Sequence, residues 1–231
     1  MKDLNQLEKN LGVKFKKIDL LIEASTHRSY LNEHPEFKLD HNERMEFLGD
    51  AVLELVVTEH LYLKYPNPEG ELTNWRASLV NRINLSRIAV KLEIEKYIKM
   101  SKGESKDKDS KARQFILSNA MEAIIGAIYL DQGMKAAKKF IDDNILIELE
   151  EIIKSKSYID PKSNFQEKSQ EKLGVTPVYK VISSTGPDHA KIFKIGVYLD
   201  KDLVATGTGS SKQEAQIKAA EEALTKKKWN I

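Results

Sequence analysis

His41-Asn42-Glu43-Arg44-Met45-Glu46-Phe47-Leu48-Gly49-Asp50-Ala51-Val52-Leu53-Glu54 is the stretch that organises the whole reading. From Phe47 through Val57 nearly every residue is apolar, which predicts a helix buried on most of its circumference. Yet Glu43, Glu46, Asp50 and Glu54 recur at steps of three, four and four, stacking four carboxylates on one face. Like charges at such spacings repel by a few tenths of a kcal/mol per pair when exposed, and more beside an apolar core unless a cation neutralises them. Gly49, inside the helix, costs about 1 kcal/mol relative to Ala and points to close approach by another backbone.

A second acidic stretch follows about seventy residues on. Glu122 is the single charged side chain between Phe115 and Leu130, with Asn119 one turn before it on the same face. Glu46 and Asp50 on one helix, with Asn119 and Glu122 on another, form a hard-oxygen donor set without Cys or His. Such a set suits Mg²⁺ or Mn²⁺ better than Zn²⁺. The spacing alone leaves another arrangement open, in which Glu46 and Glu54 are solvated and Glu122 pairs with Arg76 or Arg82. His27, His34, His41 and His60 are scattered and form no acid–base pattern.

Around these segments the chain reads as helical up to about residue 155. Helical spacing covers 7–24, 42–65, 72–92, 115–130 and 135–154, with Pro66-Asn67-Pro68-Glu69-Gly70 as a breaker. Residues 101–113 (SKGESKDKDSKAR) read as a mobile, solvated loop. After a linker at 156–160 the style changes. Asp160 caps a helix starting at Pro161 and stopped by Gly174, with Phe165, Ser169 and Leu173 on one stripe. Strands are expected at 178–183, 192–199 and 203–207, with Asp200-Lys201-Asp202 turning between the last two. Ser211-Lys212-Gln213-Glu214 has capping-box spacing and opens a final helix. The expected architecture is an all-α domain at 1–155 followed by a small α-β-β-β-α domain at 161–231.

Composition narrows the function classes. Hydrophobic residues make up 41% and charged residues 31%, and no apolar run approaches the roughly 18–20 residues of a membrane span. The first residues are charged and lack the apolar core of a secretion signal, and there is no cysteine, so a reducing cytoplasm is expected. Net charge is only +2, but residues 160–231 carry 12 Lys+Arg against 9 Asp+Glu, while residues 1–159 carry 25 against 26. The slight positive excess lies in the second domain.

NERMEFLGDAVLELVV (42–57) closely resembles the ribonuclease III signature, and ILSNAMEAIIGAIYLDQG (116–133) resembles that family's second acidic motif. THRSY (26–30) and WRASLVN (75–81) are similar to family segments in the same order, and residues 160–228 resemble a double-stranded RNA-binding domain. The resemblance implies a helical endonuclease domain that works as a homodimer, cuts double-stranded RNA and leaves 5′-phosphate and 3′-hydroxyl ends with a short 3′ overhang. It implies Glu46 and Glu122 as Mg²⁺ ligands, Asp50 and Glu122 as catalytic, Glu43 and Glu69 as outer acidic positions along the cleft, and Met45 at the subunit interface. Mn²⁺ substituting for Mg²⁺, processing of ribosomal RNA precursors and messenger RNA, and no organic cofactor are further implications.

In the second domain the resemblance puts Gln166 in one minor groove, His189 in the next, and Lys212 on the phosphates between, reading duplex shape. Two departures stand out. Asn119 replaces the family's usual Asp, keeping one carbonyl oxygen as a ligand but losing a charge. Gln213 replaces a second basic residue. Both are consistent with a catalytically weakened protein that holds duplex RNA. A helical metal phosphohydrolase acting on nucleotides would leave the second domain without a purpose.

Overall fold

The computed structural model describes residues 4–106, 111–156, 158–187 and 190–229. The chain divides into two compact units, 1–155 and 156–231. The first is helical: α1 (Leu4–Leu11), α2 (Ile18–Ala24), α3 (Arg28–Glu33), α4 (Glu43–Lys64), α5 (Glu69–Val80), α6 (Arg82–Lys91), α7 (Lys102–Lys106), α8 (Lys111–Gln132), α9 (Met134–Asn144) and α10 (Leu149–Ser155). None of the described helices is long and apolar enough to cross a membrane.

Three helices expected from periodicity are each divided, because local polar groups offer the backbone better partners than helix continuation does. Between α1 and α2, Glu8 accepts from the Phe15 N–H, and Asp131 accepts from the N–H groups of Lys16 and Lys17 at 2.8 and 2.9 Å. At the α5–α6 junction Asn81 turns extended (ψ 156°) and its side chain accepts from the Asn84 N–H at 2.9 Å. The third helix breaks at Asn144, and a 3₁₀ turn at Leu146–Glu148 leads into α10. The expected loop at 101–113 is partly helical: α7 occupies its start, and α8 begins at Lys111. Arg113 is buried, donating to Glu95 through Nε and Nη2 at 3.0 and 2.8 Å. Residues 107–110 lie outside the described residues.

Helix α8 is the core of this unit. Ile116, Leu117, Ala120, Met121, Ala123, Ile124, Ile125, Ala127 and Ile128 are all buried, which leaves Glu122 in an apolar neighbourhood. Its principal partner is α4, which contributes Met45, Val52, Leu53, Val56, Val57 and Leu61. Burying each large aliphatic side chain is worth about 1.5–3 kcal/mol, so this contact dominates the unit's stability. Helix α4 departs from the expected burial, however. Phe47, Ala51, Leu55 and Tyr62 form an exposed apolar stripe, with Phe47 at 81% and Tyr62 at 77% exposure.

The second unit follows the expected order: α11 (Pro161–Leu173), β1 (Val178–Thr185), β2 (Ile192–Leu199), β3 (Asp202–Gly209) and α12 (Lys212–Lys227). The antiparallel sheet has order β1-β2-β3, and both helices contribute to a core of Phe165, Val197, Leu199, Ala205, Ala219, Ala220, Ala223 and Leu224. Asp160 caps α11 by accepting from the Ser163 N–H, and Gly174 ends it in the left-handed conformation. Leu173, at the C-terminal end of α11, does not join the buried stripe of Phe165 and Ser169 and is 50% exposed. Leu199 pairs with Asp202, so the turn is two residues, Asp200-Lys201, and β3 starts earlier than expected.

Candidate active site and nucleic-acid interface

The site begins with a close helix crossing. A Cβ on Gly49 would overlap the carbonyl oxygen of Glu122, and would lie 2.6 Å from that carbonyl's carbon and 2.9 Å from the Gly126 nitrogen. A Cβ on Gly126 would in turn overlap the carbonyl oxygen of Met45. Only hydrogen at both positions lets the α4 and α8 backbones touch. That contact is what brings together the side chains one turn away on each helix. Glu43, Glu46, Phe47 and Asp50 of α4 and Asn119 and Glu122 of α8 line one open cavity of about 410 Å³.

The start of α4 is fixed by polar anchors that sequence reasoning passed over. Asn42 is buried; its N–H donates to the Thr26 carbonyl at 2.9 Å, and its Nδ2 donates to the Ala24 carbonyl. Thr26, also buried, donates through Oγ1 to Ile22 at 2.7 Å. His27 caps α3, its ring nitrogen accepting from the Ser29 N–H, a structural role.

The electrostatics are those of uncompensated anions. Burial, followed by the charges of Asp50, Glu46 and Glu54, pushes the Glu122 carboxyl up to about 8. Burial and Glu43 also raise Glu46, partly offset by a hydrogen bond that the Asn119 amide donates to it. The Asn119 Oδ1 meanwhile accepts from Ser118 Oγ at 3.3 Å, so its amide nitrogen, not its carbonyl oxygen, faces Glu46. Of the cations nearby, Arg28 is paired with one lining carboxylate, and Arg76 and Arg82 are engaged outside the cavity. Arg28 lies 3.4 Å from Glu43, and Arg76 is 3.1 Å from Glu54, drawing that carboxylate away from the cavity lining. Arg82 sits over the Phe115 ring at 3.2 Å. Neither arginine pairs with Glu122, so the ion-pair arrangement left open by the spacing does not form. Among the described residues no three His, Asp or Glu groups close into a ready cation cage. The fourth position of the donor set, Asn119, is an amide.

Two expected site residues are placed elsewhere. Met45 is 5% exposed, buried inside its own unit against α8, because its position faces the Gly126 crossing; the exposed apolar neighbour is Phe47. Glu69 opens α5 beyond the far end of α4, accepts from Thr73 Oγ1 at 2.9 Å, and lines a separate cavity of about 620 Å³ with Tyr62, Tyr65 and Arg76. Eighteen residues of helix at 1.5 Å each separate Glu46 from the end of α4, roughly 27 Å, so one chain cannot bring Glu69 to the acidic cavity.

In the second unit Ser211 caps α12, accepting from the Glu214 N–H at 3.1 Å, while the Glu214 carboxylate reaches back to Ser210. Lys212 is the first residue of α12, exposed, with its Nζ 6.0 Å from the Phe193 ring. Gln166 is exposed on α11 and shares a cavity of about 280 Å³ with Gln213 and Lys162. His189 lies outside the described residues.

Comparison with known proteins agrees with this arrangement over nearly the whole chain. A family profile described as Ribonuclease-III-like matches residues 17–149, and one described as Double-stranded RNA binding motif matches residues 161–227. The chain is 42% identical over 225 residues to Ribonuclease 3 of Dehalococcoides mccartyi, covering 97% of this chain and 94% of the relative. It is 43% identical to Ribonuclease 3 of Enterococcus faecalis, covering 95% of each. The crystal structure of the nuclease domain of ribonuclease III from Campylobacter jejuni is 42% identical with a TM-score of 0.57, covering 64% of this chain and 97% of that one. The paired acidic helices and the attached α-β-β-β-α unit are thus parts of one recognisable enzyme, and the chain belongs to the ribonuclease III family of endoribonucleases.

Proposed function

We propose that the protein is a Mg²⁺-dependent endoribonuclease that hydrolyses double-stranded RNA to 5′-phosphate and 3′-hydroxyl ends. The observation that carries this reading is Glu122: a half-buried carboxyl, facing Asp50 and Glu46, with no cationic side chain beside it among the described residues. A divalent ion fits that donor set, because an added cation would take the place of the Glu122 proton and relieve the neighbouring carboxylates of Glu46 and Asp50 in an apolar wall. Glu46 and Glu122 would hold it, with Asp50 alongside; what it would supply is a more acidic water and charge neutralisation at the scissile phosphate. Asn119 orients Glu46 through its amide, and a direct contribution of its carbonyl to the ion would need that amide to turn. Mn²⁺ would serve the same oxygens.

The exposed stripe Phe47-Ala51-Leu55-Tyr62 supports assembly of two copies along α4, which would also offer Glu69 of one chain to the cleft of the other. A solved Campylobacter jejuni nuclease domain is described as having a region involved in dimer formation. Lys212 and Gln166 support duplex binding by the second unit, with Gln213 as its weakened position. Residues 1–155 and 161–231 are proposed as the nuclease and RNA-binding domains, joined by a linker at 156–160. Cytoplasmic processing of ribosomal RNA precursors and messenger RNA is the proposed role.

The deciding assay incubates the protein with labelled duplex RNA in Mg²⁺ or EDTA, beside Asp50→Asn. Metal-dependent cutting lost in the variant supports the enzyme. A gel shift without cutting would favour the weakened binder suggested by Asn119. Light scattering of Phe47→Glu should report a monomer where the parent is a dimer.

A further inference from the structure

The acidic cavity repels the phosphates it must receive, so a strand entering it needs fixed positive charge on the same face but outside the carboxylate cluster. Around this unit Arg28, Arg76, Arg87 and Arg113 are each committed to a carboxylate, respectively Glu43, Glu54, Glu148 and Glu95. Arg44 and Arg82 have no carboxylate within ion-pair distance among the described residues, and of the two Arg82 is the one braced on an aromatic ring. Its guanidinium lies 3.2 Å above the ring of Phe115, itself 45% exposed. Phe115, Asn119 and Glu122 follow at steps of four and three on α8 and therefore share one face. The stacked cation thus stands about one helical turn, roughly 5.4 Å along α8, from the edge of the cavity. A guanidinium braced on an aromatic face keeps its N–H fork in a fixed plane, the geometry that binds a phosphate through two hydrogen bonds.

We propose that Arg82, held by Phe115, grips a backbone phosphate of the RNA strand running into the cavity beside Asn119. This rests on the reading of the chain as a nuclease acting on duplex RNA, and it adds a positioning residue in the first unit. The test uses the full chain. Equilibrium binding to duplex RNA is measured in EDTA over a salt series, and steady-state cleavage is measured in Mg²⁺. Arg82→Gln should weaken binding about two- to tenfold, lower the slope of log affinity against log salt by about one, and raise KM with kcat little changed. Arg82→Lys should keep the slope but not the full affinity, and Phe115→Leu should weaken binding with Arg82 still present. A folded Arg82→Gln protein with unchanged slope and KM overturns the proposal, leaving the stack as helix packing. If Arg82→Gln loses thermal stability, Arg82→Lys decides: a slope still lowered with the charge retained overturns it. Absence of cutting by the parent would defeat the nuclease reading alone, because the salt slope in EDTA needs no cleavage.

Discussion

Glu122 is the residue on which the proposed chemistry turns, and its environment makes a testable statement about stability. Its carboxyl titrates near 8 in the folded chain against an ordinary 4.5. Between those values the folded state keeps a proton that the unfolded state has released, so stability falls as pH rises through this window and levels off above it. Glu46, also raised, adds a contribution of the same sign. In EDTA the melting temperature should therefore drop by several degrees from about pH 5 to pH 8, at roughly 2–4 °C per kcal/mol for a chain of this size. Glu122→Gln or added Mg²⁺ should flatten that slope in a calorimetric series. Asn119 gives the complementary experiment. Asn119→Asp removes the amide that donates to Glu46 and adds a like charge, so the metal-free protein should melt lower at pH 8. The same charge should lower the Mg²⁺ needed for half-maximal cleavage by about three- to tenfold. A titration curve that does not move to lower Mg²⁺ would refute this.

At the scale of elements, the α4–α8 crossing is both the main core contact and the scaffold of the site. A methyl group at Gly49 meets backbone of Glu122 and Gly126, not a side chain that can turn aside, so the helices must separate. Gly49→Ala should cost at least about 3 kcal/mol, the upper end of overpacking penalties, or about 6–12 °C in melting temperature. Loss of cleavage should accompany it, since the separation also pulls Glu46 and Asp50 from Glu122. Gly70→Ala is the control. It lies in the first turn of α5 with open space around its Cβ, and should be neutral or stabilising by up to about 1 kcal/mol.

Across the whole molecule the labour is divided by charge. The acidic cavity belongs to one unit, while the net positive charge belongs to the other, whose exposed Lys212 and Gln213 open α12. An added cation at the second position should be felt as phosphate binding without a change in chemistry. Gln213→Lys is expected to tighten duplex binding and steepen its salt dependence by about one unit of slope, leaving kcat unaltered. A salt series by fluorescence anisotropy, paired with single-turnover cleavage, checks both halves of that statement.

The amino-acid sequence by itself determined the two-part architecture, the acidic face of α4 and the isolated Glu122, because helix periodicity, caps and charge spacing are local properties. It also located Gly49 as a place of close approach, since glycine in an apolar helix has few other uses. Only the tertiary structure decided what those residues face. The burial of Met45 and the exposure of Phe47 depend on which side of α4 meets α8, and both sides are apolar in sequence. The distance from Glu69 to the cavity follows from the length and direction of α4, and the turn of the Asn119 amide follows from Ser118 and Glu46. Arg82 and Phe115 lie 33 positions apart, a pairing without local signature, which the packing of α6 on α8 creates.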